Sequence, residues 1–221
     1  MKAAFVIPTA NPEMCSATFA KWREMGWDTY ALVTSRDIAV ENATGVFTQD
    51  EYPGWGNSFN LMAKWLEGKY DWLATGGDDV LPDPVKDAIT ICEQCSEVFK
   101  CTMGICQPTA DKWAFDKNGT AQPICYAPII GAEFARTWNG GRGAFWPEYF
   151  HWFADAELYE TANTLLYLWQ RDDLYFEHRH PARTGGAMPQ YKLNIQHRWQ
   201  ADADLYGRRK HDGYPDHEPA D

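Results

Sequence analysis

No run of apolar residues in the 221 positions approaches the roughly 18 that cross a bilayer, so a membrane-spanning helix and membrane insertion are not expected. The opening "MKAAFVIPTANPEM" meets Pro8 and Pro12 too early for the apolar core of an export signal, which points to a cytoplasmic protein. Positive charge is also scarce. Lys and Arg number 20 against 31 Asp and Glu, and the net charge of -11 argues against a chain that coats nucleic acid through a general positive field. A local basic face is still available near the end, where "QHRWQ" and "GRRKHDGYPDH" gather Arg198, Arg208, Arg209, Lys210 and His211; a solvated tail accounts for the same residues. Internal repeats and low-complexity linkers are absent as well, which leaves one domain, or one domain with an appendage.

The cysteines are few and irregularly placed. "CEQCSEVFKCTMGIC" gives Cys92 and Cys95 the two-residue gap of a zinc knuckle, but Cys101 and Cys106 follow at irregular spacing, and buried free thiols are the simpler reading. Aromatic residues, in contrast, are 15% of the chain, enough flat apolar area for one substantial core with rings to spare for a binding surface.

Periodicity supplies the fold class. "AAFVI" reads as a strand stopped by Pro8, "PEMCSATFAKWREMG" as a helix ended by Gly26, and "DTYALVT" as a second strand. "NSFNLMAKWLEG" reads as a helix, "YDWLATG" as a strand, "DPVKDAITICEQCSEVF" as a helix with Pro84 in its first turn, and "KCTMGIC" as a further strand. Strands alternating with helices of this length predict an α/β fold with a mostly parallel central sheet and helices on both faces.

Against that background "YDWLATGGDDVLPDP" stands out. Asp78 and Asp79 repel each other, and they fall at the carboxyl end of a central strand, where open α/β sheets bind ligands. Gly76 and Gly77 let the chain turn and a ligand approach. Such a pair suits Mg²⁺ or Mn²⁺, which takes one or two protein carboxylates and completes its shell with phosphate oxygens and water. An Asp-rich turn in which Asp79 caps the following helix is the competing explanation. Further along, "EYFHWFADAELYETANTL" places Asp155 and Glu157 at a helix start behind a ring-rich, glycine-rich loop, where the dipole keeps a carboxylate ionised and available as a base. "RDDLYFEHRHP" puts His178 and His180 on one face of a strand, either of them a candidate metal ligand.

In this order, the pieces resemble the GT-A glycosyltransferases, especially the family 2 type, over residues 3–181. The resemblance implies a GT-A fold in a single domain, 1–181, with a Rossmann-like nucleotide-sugar-binding half (1–100) and an acceptor and catalytic half (101–181), followed by a C-terminal loop and tail (182–221). "GGDDV" looks like the DXD region with Gly77 in place of its first acid, which implies Asp79 on the metal and Asp78 near the ribose or the metal. "VIPTANP" is similar to the nucleotide-binding loop, implying Pro8 and Thr9 beside the base, and "TSRD" brings Asp37 to the same side. "GWGNSFNLMAKW" resembles the segment over the nucleotide sugar, implying Asn57 or Asn60. "ADAEL" looks like the ED motif with Ala154 in place of Glu, so Asp155 matches the catalytic base and His178 the late metal-binding histidine.

The resemblance implies metal-dependent transfer of a sugar, UDP-glucose being the first candidate donor, to an acceptor hydroxyl with inversion. Mn²⁺ or Mg²⁺ is the expected cofactor. Trp146, Trp152 and Glu157 are expected on the acceptor side, with Arg183 in a "PARTGGAMPQ" loop that closes over the phosphates. The expected acceptor is a saccharide or, as in viral-type enzymes that would act in the host cytoplasm, a hydroxymethylated base in DNA gripped by the basic C-terminal cluster. A metal-dependent phosphohydrolase and a non-catalytic sugar- or nucleotide-binding module are the rival classes.

Overall fold

The computed structural model describes residues 1–109, 123–179 and 190–220, apart from the side chains of 190–192. His180 and Arg183 lie outside the described residues.

Strand β1 (Ala3–Pro8) shows how the sheet is covered. Ala4, Phe5, Val6 and Ile7 are all fully buried, with no polar alternation, as a strand between two helical layers requires. Alternate side chains point to opposite faces. Phe5 and Ile7 enter one core with residues of α1 (Pro12–Glu24) and α3 (Ala88–Phe99), and the Phe5 ring stacks on Trp22 at 3.8 Å. Ala4 and Val6 enter the other core with residues of α2 (Trp55–Trp65), α4 (Ala132–Gly141) and α5 (Ala154–Thr164).

The main sheet has seven strands in the order β3-β2-β1-β4-β7-β6-β8. β2 is Asp28–Val33, β3 Gly45–Thr48, β4 Trp72–Ala74, β6 Ile105–Pro108, β7 Ile129–Gly131 and β8 Leu168–Arg171. All neighbours are parallel except at β7, which runs antiparallel to both β4 and β6. A separate antiparallel ribbon pairs β5 (Val80–Leu81) with β9 (Glu177–His178). The expected mostly parallel sheet is present, and β1 to β4 direct their carboxyl ends to one edge.

Local chemistry sets the helix ends, once against expectation. In α1, Pro12 occupies the first turn and Asn11 accepts the Met14 N–H at 3.1 Å. The helix expected to begin at Pro84 begins instead at Ala88, because Asp87 accepts the Thr90 N–H at 2.8 Å. Asp83 closes a turn of its own, accepting from Val85 and Lys86 at 2.8 and 2.9 Å, and Asp79 caps no helix.

The segment expected to be a loop and tail carries two helices, α6 (Gln190–Ile195) and α7 (Trp199–His211). The second is tied into the core by charge. Arg209 donates to both oxygens of Glu157 at 2.7–3.0 Å, and Tyr149 donates to Glu157 at 2.7 Å. The Arg209 guanidinium also sits 3.4 Å over the Trp146 ring. Among the described residues no helix is long and apolar enough to cross a membrane. All six cysteines are free of disulfides, burial pushes the Cys92 and Cys106 thiols up, and among the described residues no group of three or more His, Cys, Asp or Glu gathers around Cys92 and Cys95 as a zinc knuckle needs.

Because Glu157 and Arg209 are both buried, removing one strands the other. Glu157→Ala should lower the unfolding free energy by about 3–5 kcal/mol. The double replacement Glu157→Leu with Arg209→Met should cost clearly less. Urea denaturation of the two variants checks the order, and equal losses would show that the pair is not acting as a unit.

Candidate functional site

The segment from Gly76 to Val80 holds its shape through its carbonyl groups: the Val80 N–H donates to Gly77 O at 3.2 Å, and the other four accept from residues outside the segment. Trp55 Nε1 donates to Gly76 O at 2.9 Å, Thr18 Oγ1 to Asp78 O at 2.6 Å, Trp22 Nε1 to Val80 O at 2.8 Å, and the Arg179 N–H to Asp79 O at 2.8 Å. With the backbone fixed, the two carboxylates diverge. Asp78 accepts from Thr9 Oγ1 at 2.7 Å, while Asp79 Oδ1 lies 3.3 Å from His178 Nε2. The His178 ring stacks parallel to Tyr126.

These groups open onto a cleft of about 730 Å³ at the carboxyl ends of β1 to β4, a volume within the range of small-molecule sites. Pro8, Thr9, Asp78, Asp79, Trp152, Asp155 and His178, all expected at the site, line it together. Phe153, one of the rings expected on the acceptor side, lines it too, as do Gln49, Glu51, Tyr52, Trp55, Tyr126, His151, Asn194 and Ile195, none of which was singled out as a site residue from the sequence. The signal for Glu51, Tyr52 and Trp55 was the "EYPGWG" turn. Gly54 there has φ +99°, and a Cβ on it would stand 2.1 Å from Phe150 O, so only glycine lets the start of α2 meet the aromatic loop.

Five expected residues are elsewhere. Asp37 is exposed on the turn after β2 and does not face the cleft. Asn57 donates to Pro147 O at 2.8 Å, and Asn60 both donates to and accepts from the Phe145 backbone, so these amides fasten α2 to the aromatic loop. Trp146 is buried between Arg142 and Arg209, and Glu157 is the buried partner of Arg209. Neither lines the cleft, and Glu157, two positions beyond Asp155 on its helix, faces a different side.

Asp79 and His178 are the pair with metal-ligand chemistry. Among the described residues no group of three or more His, Cys, Asp or Glu converges as a metal cluster, so Asp78, held by Thr9, does not complete one. One carboxylate and one imidazole fit an ion that takes the rest of its shell from phosphate oxygens and water.

Asp155 stands at the opening of α5, where its Oδ1 accepts the Ala156 N–H at 3.0 Å. Burial pushes its carboxyl above the usual carboxylate range, and the N–H groups of Ala156 and of Asp155 itself oppose this only in part. Four acids, Glu51, Asp78, Asp79 and Asp155, line the cleft, with no Lys or Arg among the described lining residues.

No protein-family model matches the sequence, and no curated protein matches it. Among solved structures, the chain is similar to a Drosophila beta-1,4-galactosyltransferase 7 mutant in complex with manganese, UDP-Gal and xylobiose, with a TM-score of 0.52 and 11% identity over 87% of this chain and 79% of that one. The likeness is one of fold, and the mixed α/β architecture is of the GT-A-like kind.

A folded-state pKa above the unfolded one means that protonated Asp155 contributes stability below the ordinary value of about 3.9, and that this is lost as the pH rises through the folded value. Asp155→Asn keeps the acceptor for Ala156 and removes the buried charge. It should raise Tm near neutral pH. The gain should fade as the pH approaches about 4. Melting curves across that range check the sign, and a lower Tm for the variant at neutral pH would contradict it.

Proposed function

We propose that this protein is a metal-dependent glycosyltransferase that moves a sugar from a nucleotide-sugar donor, UDP-glucose being the first candidate, to an acceptor hydroxyl with inversion. The observation that carries this reading is the meeting, in one cleft at the strand ends, of the Asp79 and His178 pair with the buried carboxylate of Asp155. The fold likeness to a galactosyltransferase bound to manganese and a UDP-sugar supports it. The electrostatics do too, because a diphosphate entering among four acids with no Lys or Arg among the described lining residues needs a cation to accompany it.

Asp79 and His178 would hold Mn²⁺ or Mg²⁺, which when bound neutralises charge on the leaving diphosphate. Pro8 and Thr9 flank the donor end of the cleft, where the Thr9 hydroxyl keeps Asp78 in place. Asp155 takes the proton of the acceptor hydroxyl as that oxygen bonds to the anomeric carbon. The bond from that carbon to the phosphate oxygen breaks, and the nucleoside diphosphate leaves with the electron pair. Burial that raises the Asp155 pKa makes it a stronger base than an exposed carboxylate. Trp152 and Phe153 offer flat rings to the acceptor.

A saccharide acceptor suits this cleft better than DNA. Of the basic C-terminal cluster, Arg209 is buried against Glu157, Lys210 is paired with Glu160, and Arg198 lies over the Phe150 ring. Arg208 stays exposed, but no Lys or Arg is among the described residues that line the cleft itself.

UDP release from a panel of UDP-sugars with Mn²⁺ tests the reading, with disaccharides of glucose, galactose or xylose, or duplex DNA containing 5-hydroxymethylcytosine, as acceptors. Release should rise with a disaccharide, vanish in Asp79→Ala, and fall at least about 100-fold in Asp155→Asn. Stimulation by the DNA alone would move the acceptor to nucleic acid. No release with any pair would leave a binding module.

A further inference from the structure

We infer that Asp202, on α7 and not itself lining the cleft, is a positioning residue for the acceptor side of the site; this rests on the transferase reading above. Its carboxylate is buried and accepts three consecutive backbone N–H groups, from Phe150 at 3.0 Å and from His151 and Trp152 at 2.9 Å each. The next residue, Phe153, has the left-handed φ of +67°, a strained conformation for a bulky aromatic side chain. It stands at the start of α5, where no side chain caps the helix. One residue after the helix begins comes Asp155.

The turn that presents His151, Trp152, Phe153 and Asp155 to the cleft is therefore fastened from outside, by α7. The Phe153 ring stacks on Tyr206 with centroids 5.2 Å apart and leans on Trp199 at 5.8 Å, both on the same helix. A strained backbone persists only where its surroundings over-determine it, and here the three amide bonds to Asp202 and the two ring contacts do so. Donor-side groups have separate anchors. Asp78 and Asp79 are held through Thr9, Thr18 and Arg179, and the hydrogen bonds described for these three residues do not involve α7; Trp55, which holds Gly76 O, meets the Phe150 carbonyl rather than the amides that Asp202 clamps. Loosening Asp202 should thus damage acceptor use and spare the donor.

Steady-state kinetics on Asp202→Asn test this, with UDP-glucose as donor and the disaccharide that best stimulates UDP release as acceptor. An amide offers one acceptor oxygen and turns an N–H group toward N–H donors, so at least part of the clamp is lost. The acceptor KM should rise about tenfold or more, since small misplacement of a binding wall is costly. Donor KM and acceptor-independent UDP release should stay within about twofold, because the donor anchors are untouched. Asp202→Glu should recover part of the acceptor KM. If Asp202→Asn does not remain folded at the assay temperature, Tyr206→Leu, which removes the ring beside Phe153, must show the same split. An unchanged acceptor KM, or equal loss of donor and acceptor use, would overturn the inference. Absence of UDP release from the wild type with every donor overturns the transferase reading itself, and this inference with it.

Discussion

Two residues of antiparallel pairing, Val80 with His178 and Leu81 with Glu177, bring together side chains that lie far apart in the chain, and one wall of the cleft depends on them. The pairing is too short to stand alone, since even a full two-stranded hairpin is marginal in water. It persists because the segment before it is already fixed. Trp22 buries its ring against Phe5 while its indole N–H reaches Val80 O, and Trp55 does the same service for Gly76 O. Large rings with one polar edge are suited to this, packing a core and reaching a backbone carbonyl at once. The aromatic richness of the chain thus goes partly into holding a charged turn in place.

Much of the sheet could be read from the sequence because its signals are local. The buried run Ala4–Ile7, the Pro12 and Gly26 punctuation of α1 and the paired glycines after β4 each act within a few residues. What escaped were elements whose identity depends on partners. The short strands β3 and β7, of four and three residues, become strands only when a neighbour pairs with them. Pro84 looked like a helix start, but two nearby acids compete for that role, and Asp83 takes the turn while Asp87 takes the cap.

The site divides along the same line. Asp78, Asp79, Asp155 and His178 sit beside recognisable strand and helix ends, and the structure brings all four to one cleft. Glu157 and Trp146 have the right chemistry for a binding surface and are buried instead, a fate decided by Arg209, some fifty residues further on. Asn57 and Asn60 likewise turned to backbone groups of the loop at Phe145 and Pro147. Which of two acids on a helix meets solvent is a question of what covers the other face, and only the folded chain answers it.

The dependence of the Phe150–Asp155 wall of the cleft on α7 has a consequence in the order of synthesis. Chains emerge from their amino ends at about 5–20 residues per second, and early segments begin to fold first. Strands β1 to β4 and the helices between them can assemble while the remainder is still being made. The Phe150–Trp152 amides and the Glu157 carboxylate, by contrast, meet their partners only when Asp202 and Arg209 have emerged. A growing chain therefore forms the sheet edge that carries Asp78 well before the Phe150–Asp155 wall is fastened, and the cleft is completed as a late step in its making.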